Sequence, residues 1–499
     1  MAYKGGRLEL LVPHMLRGQL LRPGFVRLSL RLGAARAMPP WARLLFINSG
    51  VSPEDLDAVL HRITSLGSWV DEWQGLGRLH ETRGQEAQAL GEPAQAAREF
   101  LAASAAYNFA QQVVFLDVNH KRLLHEGCVR AYAAAAPFLD PPVRPFDVPY
   151  RRRVMRGYLR VPREYSGGAG RNGRRLAPVV VLMNGTNAVK EELHWWGEAL
   201  LQHGLAVITF DGPGMGQTFH RLSTVAEPRP AGAAILSQIE SHPELDNGAI
   251  GLMGLSLGGY LAVRIATHDP RIRAVAAVSP PYAAGVYWNI TLAGMRRELA
   301  ALYGIEEREM GAQINRITLA GVIDRLRCPL MLAAGGHDHL TPGGEAWKIF
   351  EEARCEREMV FYPRAGHECF NMLADLRPRM AGWLARQLQK PAASGAWARG
   401  GTAELNGHGP AADPAAAGEL IWPAAEAVDL DFADALSGEV PRPAWNRMDS
   451  PGIPARIRWP WLSGKRERIE VIYRRLPRDP ALESEPLPPV PRVSDLLVF

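Results

Sequence analysis

The stretch AIGLMGLSLGGYLAV, Ala249 to Val263, is an apolar, strand-like run that breaks at Gly254-Leu255-Ser256-Leu257-Gly258 and continues at once in a helix-compatible pattern. Small residues on both sides of one serine suit a strand-to-helix turn too sharp for ordinary side chains, with the serine strained at its tip. In that setting G-x-S-x-G is a nucleophile elbow, which requires a base and an acid further along the chain. Five residues alone also recur by chance, as a glycine-rich turn carrying an incidental hydroxyl. The flanking chain has to decide.

Around this stretch, short apolar runs alternate with helical patterns. APVVVLMNG, LAVITFDGPGMG, RAVAAVSP, CPLMLAAGG and EMVFYPRAG each end in a loop, and EELHWWGEALLQHG reads as a helix stopped at Gly204. Buried strands alternating with helices predict an α/β architecture, a mostly parallel, doubly wound sheet covered on both faces. Functional residues then belong in loops at the carboxyl ends of the strands.

The remainder of the chain has a different texture. From about Val51 to Ala136 the pattern is helical: SPEDLDAVLHRI offers Ser52 as N-cap and Pro53 at the first helical position, and alanine-rich stretches of helical period follow. FDVPYRRRVMRGYLRVP turns strand-like, and GGAGRNGRR behind it reads as a hairpin turn. These shifts divide the chain into a basic N-terminal extension (1–44), a helical domain (45–145), an α/β domain (146–390) and a tail (391–499). The tail, rich in Ala, Gly and Pro, lacks the apolar periodicity that offsets ordering entropy, so it is expected to be largely disordered. IRWPWLSGKRERIEVIYRRLP is the one piece of it that suits a short local element. There is no internal repeat.

Composition narrows the function classes. A formal charge of +5 over 499 residues, spread over scattered arginines, carries no nucleic-acid footprint. Cys128, Cys328, Cys355 and Cys369 are too scattered for a disulfide framework or a zinc site, which fits a reducing cytoplasm. No run approaches the roughly 18 apolar residues of a membrane span. Arginines interrupt the apolar N-terminal segment throughout, so it reads as an amphipathic surface segment or a misassigned start rather than as a signal peptide.

A serine hydroxyl is a poor nucleophile unless a base takes its proton and an acid orients that base. Asp338, in AAGGHDHLTP, and His367, in FYPRAGHECFN, follow Ser256 in the order this architecture uses, each just past an apolar run. The rival acid Asp324, in GVIDRL, precedes its strand and falls at the wrong edge of the sheet. His337 and His339 flank Asp338, but a metal site needs a third ligand at suitable spacing and none is visible, so no metal is expected. For the oxyanion, the backbone N–H of Leu257 is one donor, and the loop Asn184-Gly185-Thr186-Asn187 supplies the other, with Gly185 allowing close approach and Thr186 N–H donating. The run Asp211 to Gly216 lacks the lysine of a phosphate loop and reads as a tight structural turn.

GTNAVKEELHWWGEALLQHGLAVITFDGPGMGQT followed by GLMGLSLGGY resembles the α/β-hydrolase subfamily of 2,6-dihydropseudooxynicotine hydrolase and the FrsA-like esterases, with fungal yellowish-green-type polyketide hydrolases looking related. The likeness covers roughly Leu45 to Gln389. It implies the α/β-hydrolase fold, a helical lid domain over the active site, and cofactor-free hydrolysis of an ester or of a C–C bond beside a ketone. It assigns Ser256, Asp338 and His367 as the triad, and it matches Lys190, Glu191 and Glu192 to a K-E-E element, read here as a structural ion-pair group. Two departures stand out. The oxyanion loop begins Asn184-Gly185 where relatives often have two glycines, and SPPYAAGVYWNITLAGM carries no carboxylate where the nicotine-pathway enzyme is expected to have one. The expected partner is a small-molecule substrate, and a homodimer is compatible with the chain. An acyltransferase or thioesterase on the same scaffold, and a non-catalytic binding module, are the competing readings.

Overall fold

A strand covered on both faces has to be apolar along its whole length. The computed structural model describes residues 30–390 without 32, 39, 115, 152, 166–175, 214, 219–227, 286, 287, 289–295, 298, 299, 301–304 and 339, and adds the strand 471–475. Its strands are Arg144–Pro145 (β1), Val148–Tyr150 (β2), Arg153–Met155 (β3), Gly157–Arg160 (β4), Ala177–Met183 (β5), Ala206–Phe210 (β6), Leu245–Leu255 (β7), Ile272–Val278 (β8), Leu330–Gly335 (β9), Arg357–Tyr362 (β10) and Val471–Arg475 (β11). Nine of them form one sheet in the order β1-β4-β6-β5-β7-β8-β9-β10-β11, and β2 pairs with β3 in a separate hairpin. From β6 through β10 every neighbour is parallel, while β1, β4 and β11 pair antiparallel at the two edges. The α/β-hydrolase fold expected from the sequence is therefore present.

Strand β5 illustrates why the sheet is buried twice. Val179, Val181 and Met183 join one core and Val180 and Leu182 the other. The first core is closed by helices that follow β6, β7 and β9; the second is closed by the helix after β5 and by the last long helix.

Ahead of the sheet come the helices Pro40–Asn48 (α1), Pro53–Arg62 (α2), Leu66–Ala89 (α3), Pro93–Gln111 (α4) and Val118–Ala135 (α5). Ser52 caps α2 as its sequence requires, its Oγ accepting the Asp55 N–H at 3.0 Å. Leu30 and Ala34 are buried in this module's core, so its packing begins ahead of residue 45. Trp73 stacks on Phe46 with ring centroids 5.3 Å apart, Phe109 lies 4.5 Å from Phe46, and Trp69 Nε1 donates to Phe109 O. These aromatics fill the module's own interior. The hairpin turn expected at GGAGRNGRR, His339 and most of the N-terminal and C-terminal segments lie outside the described residues. The short element expected in the tail is β11, which pairs with β10 from Phe361↔Val471 to Arg357↔Arg475.

The module meets the sheet through polar contacts clustered at the strand ends. Asn187 Nδ2 donates to Gln112 O at 3.0 Å, Asn48 Nδ2 to Phe370 O at 2.9 Å, and Asn108 Nδ2 to Glu192 Oε2 at 3.2 Å. Behind them Tyr132 Oη and His194 Nδ1 share a hydrogen bond of 3.2 Å. The helices thus rest on the loops that follow β5 and β10.

Candidate active site

The glycines around Ser256 are there because nothing larger fits. A Cβ on Gly254 would stand 2.1 Å from Gly258 O, and one on Gly258 would stand 2.2 Å from Met183 O. Ser256 itself sits at φ 51 and ψ −120, a conformation that non-glycine residues adopt only when the surroundings force it. Its N–H donates to Val278 O at 2.8 Å, which pins the end of β7 to β8. Leu257 then opens the helix Leu257–Ala266 (α6), so its N–H has no partner within the helix.

Asp338 and His367 reach the same point from the next strands. Asp338 follows β9, is 3% exposed, and accepts N–H bonds on Oδ1 from Thr341 at 2.7 Å and Leu340 at 3.0 Å. His367 follows β10. Its Nδ1–H donates to Asp338 Oδ2 at 2.9 Å, which leaves Nε2 to accept the Ser256 hydroxyl at 3.0 Å. Burial disfavours the imidazolium, but the charge and hydrogen bond of Asp338, aided by Glu368, outweigh it and hold His367 above its usual range. Asp324 lies exposed in the turn Ile323–Arg325 ahead of β9, and His337 is exposed.

The loop after β5 faces this group. Gly185 is buried, Thr186 is exposed at the loop's tip, and Gly185 N–H is held by Asn184 Oδ1 at 3.1 Å. A Cβ on Gly185 would stand 3.2 Å from Ser256 Cβ, so the glycine sets how closely the loop approaches the serine. Just beyond it, Lys190, Glu191 and Asp211 form a buried ion cluster: Lys190 Nζ lies 2.7 Å from Glu191 Oε1 and 2.9 Å from Asp211 Oδ2. His125, Glu191 and Asp211 bring three potential ligand atoms within 4.8 Å of one another, but the Lys190 ammonium already bridges the two carboxylates. Asp211 also accepts the Gln217 N–H, which closes the turn after β6 as a structural element.

One acidic residue at the site went unread in the sequence. Glu368 follows His367 at φ 54 and ψ 17, with its Oε1 3.9 Å from His367 Nε2. A glutamate in a loop carries no periodicity or spacing, so only its neighbour could have drawn attention to it. A separate cavity of about 520 Å³ lies beyond the ends of β5 and β6, floored by Met183, Phe210, Leu261 and Ile265 and edged by Arg151 and Arg316. None of Ser256, Asp338 and His367 lines it.

The profile of the FrsA-like esterases matches residues 41–290, half of the chain, running from the helical module through the elbow. The chain belongs to the FrsA-like esterase family. An acetyl xylan esterase profile matches residues 232–386 and so takes in Asp338 and His367. Among curated relatives of this FrsA-like chain, the 2,6-dihydropseudooxynicotine hydrolase of Paenarthrobacter nicotinovorans is 26% identical over 349 residues, 69% of this chain and 90% of that protein. The α/β hydrolase ucsC of an Acremonium species is 32% identical over 262 residues, 48% of this chain and 50% of that protein. The crystal structure of 2,6-dihydroxy-pseudo-oxynicotine hydrolase superposes with a TM-score of 0.62 at 25% identity, over 70% of this chain and 96% of that one. This FrsA-like protein is accordingly an enzyme of the hydrolase class.

Proposed function

We propose that the protein is a serine hydrolase that splits an ester, or a C–C bond beside a ketone, in a small molecule by way of an acyl-enzyme on Ser256. The observation that carries this reading is the single hydrogen-bonded chain Ser256–His367–Asp338 at the strained elbow. His367 Nε2 takes the Ser256 proton as Oγ adds to the carbonyl carbon, and Asp338 keeps the imidazole turned and steadies its charge. The N–H groups of Leu257 and Thr186 receive the developing oxyanion, each worth about 10²–10³ in rate. The His367 imidazolium then gives that proton up as the leaving group departs, water enters along the same path, and the neutral His367 again serves as base.

The helical module supports a small-molecule substrate, because its contacts sit on the loops that hold Thr186 and His367, next to the nucleophile. The relationship to a hydrolase named for 2,6-dihydropseudooxynicotine favours a substrate of the same size class. Ser256→Ala should lower kcat by about 10⁶ with the fold intact, and a fluorophosphonate should label the native protein but not the variant. Equal labelling would remove Ser256 from the reaction.

A further inference from the structure

The backbone around His367 is strained in a way the triad does not need. Glu368 and Cys369 both have positive φ, 54 and 50, and Ser279 across from them has φ 47. Ser279 Oγ accepts the Glu368 N–H at 3.1 Å and so holds the turn in place. Left-handed backbone at a glutamate is unfavourable and persists only where the surroundings enforce it. The strain delivers one thing. It brings the Glu368 carboxyl inward, to the gap between the oxyanion loop and the nucleophile. Its Oε1 would stand 3.1 Å from a Cβ on Gly185, the same point that lies 3.2 Å from Ser256 Cβ.

A charged carboxylate there would oppose the oxyanion forming a few ångströms away, so the position suits a neutral acid. The surroundings agree. Burial raises the Glu368 pKa, the neighbouring His367 lowers it and Asp338 raises it, and the balance is upward. From the module side, Glu192 is pushed to about 7 by burial and by the nearness of Glu368, against a lowering hydrogen bond from Asn108. The charge of Glu368 raises the neighbouring Glu192, and two such carboxyls favour keeping a proton.

We propose that Glu368 is a second catalytic acid, which protonates the ketonic leaving group when a C–C bond is cut. The inference rests on the function proposed above. In outline, Ser256 Oγ bonds to the carbonyl carbon and its proton passes to His367 Nε2. The C–C bond then breaks, and its electron pair moves onto the adjacent carbon and ketone oxygen as an enolate. Glu368 gives its proton to that enolate and becomes a carboxylate, and the ketone leaves. The His367 imidazolium, 3.9 Å away, returns a proton to Glu368 through a small closure or one water. Water, deprotonated by His367, then releases the acid and restores Ser256. Ester cleavage with a phenolate leaving group needs no such proton, and this difference provides the test.

Native protein, Glu368→Gln and Glu368→Asn should be assayed on a 1,3-diketone and on a p-nitrophenyl ester, with fluorophosphonate labelling of Ser256 reporting an intact elbow in each variant. Asn tolerates the left-handed backbone and guards against a folding artefact in the Gln variant. In both variants the ratio of diketone to ester kcat/KM should fall on the order of 100-fold, the usual worth of a general acid. An unchanged ratio, whether both rates fall together or neither does, overturns the role of Glu368 while the serine-hydrolase reading stands. A native protein that opens esters but no diketone overturns the C–C half of that reading and the inference with it.

Discussion

Asp338 carries two hydrogen-bond loads at once, accepting two backbone N–H groups on Oδ1 while facing His367. The backbone bonds fix the carboxylate before any substrate arrives, so its replacement should change tautomer control more than position. Asp338→Asn is expected to cost about 10⁴ in kcat, with Asp324→Asn near neutral because Asp324 is exposed ahead of β9. Steady-state kinetics of the two variants checks this, and the reverse ranking would misplace the acid. The pH profile follows from the same pair. His367 must be neutral to accept a proton, and it is held above 6.5 by Asp338 against the effect of burial, so native kcat/KM should rise with pH through a midpoint above 6.5. Asp338→Asn should move that midpoint down, since burial then acts with less opposition. These residues were legible in the sequence because each follows an apolar run that only a buried strand explains. Glu368 was not, because its importance lies in a backbone angle and in the closeness of Gly185, neither of which has a sequence pattern.

Among the elements, the segment from Lys190 to Leu193 binds several parts together. The Lys190 ammonium, fully buried, joins Glu191 to Asp211, lies 4.8 Å from the Tyr158 ring and donates to Gln217 at 2.8 Å. It therefore ties the loop after β5 to the turn after β6 and to β4. Burial opposes charge on Glu191, but Lys190 and His125 hold its carboxyl well below the usual range. Lys190→Met would leave two buried carboxylates without their cation, and should cost about 3–5 kcal/mol of stability. Denaturant unfolding measures it; a loss under about 1 kcal/mol, the scale of an exposed pair, would mean the cluster is solvated. The ion-pair role of Lys190 and Glu191 was readable from the K-E-E resemblance; Asp211 was not, because the run it opens read only as a tight turn, and Glu192 turns instead to Asn108. The aromatic residues of α3 and α4 were harder. Trp69, Trp73 and Phe109 carry the same signal whether they line a cleft or fill a core, and only the stacking on Phe46 separates the two.

For the whole molecule, the sequence yielded the alternation of strands and helices, but hardly the arrangement at the edges. Antiparallel β1 and β4 close one side of the sheet, and β11, drawn from the far end of the chain, closes the other. The five residues of β11 were visible only as a short apolar interruption in a low-complexity tail, because a strand's pairing partner is set by topology and not by its own composition. Its position has a bearing on solubility. A sheet that stopped at β10 would offer a row of unsatisfied backbone donors and acceptors, a template on which a second molecule can extend the sheet. With β11 in place that template is occupied from within, and a dimer cannot be built by joining sheets at β10. Removing residues 391–499 should therefore produce concentration-dependent self-association, read by sedimentation velocity, with the full-length chain unaffected under the same conditions. If the shortened chain sediments as the full-length one does, the edge needs no guard. Self-association of the shortened chain would instead make β11 the guard of this edge, five residues that keep a hydrolase dispersed by covering the longer strand β10.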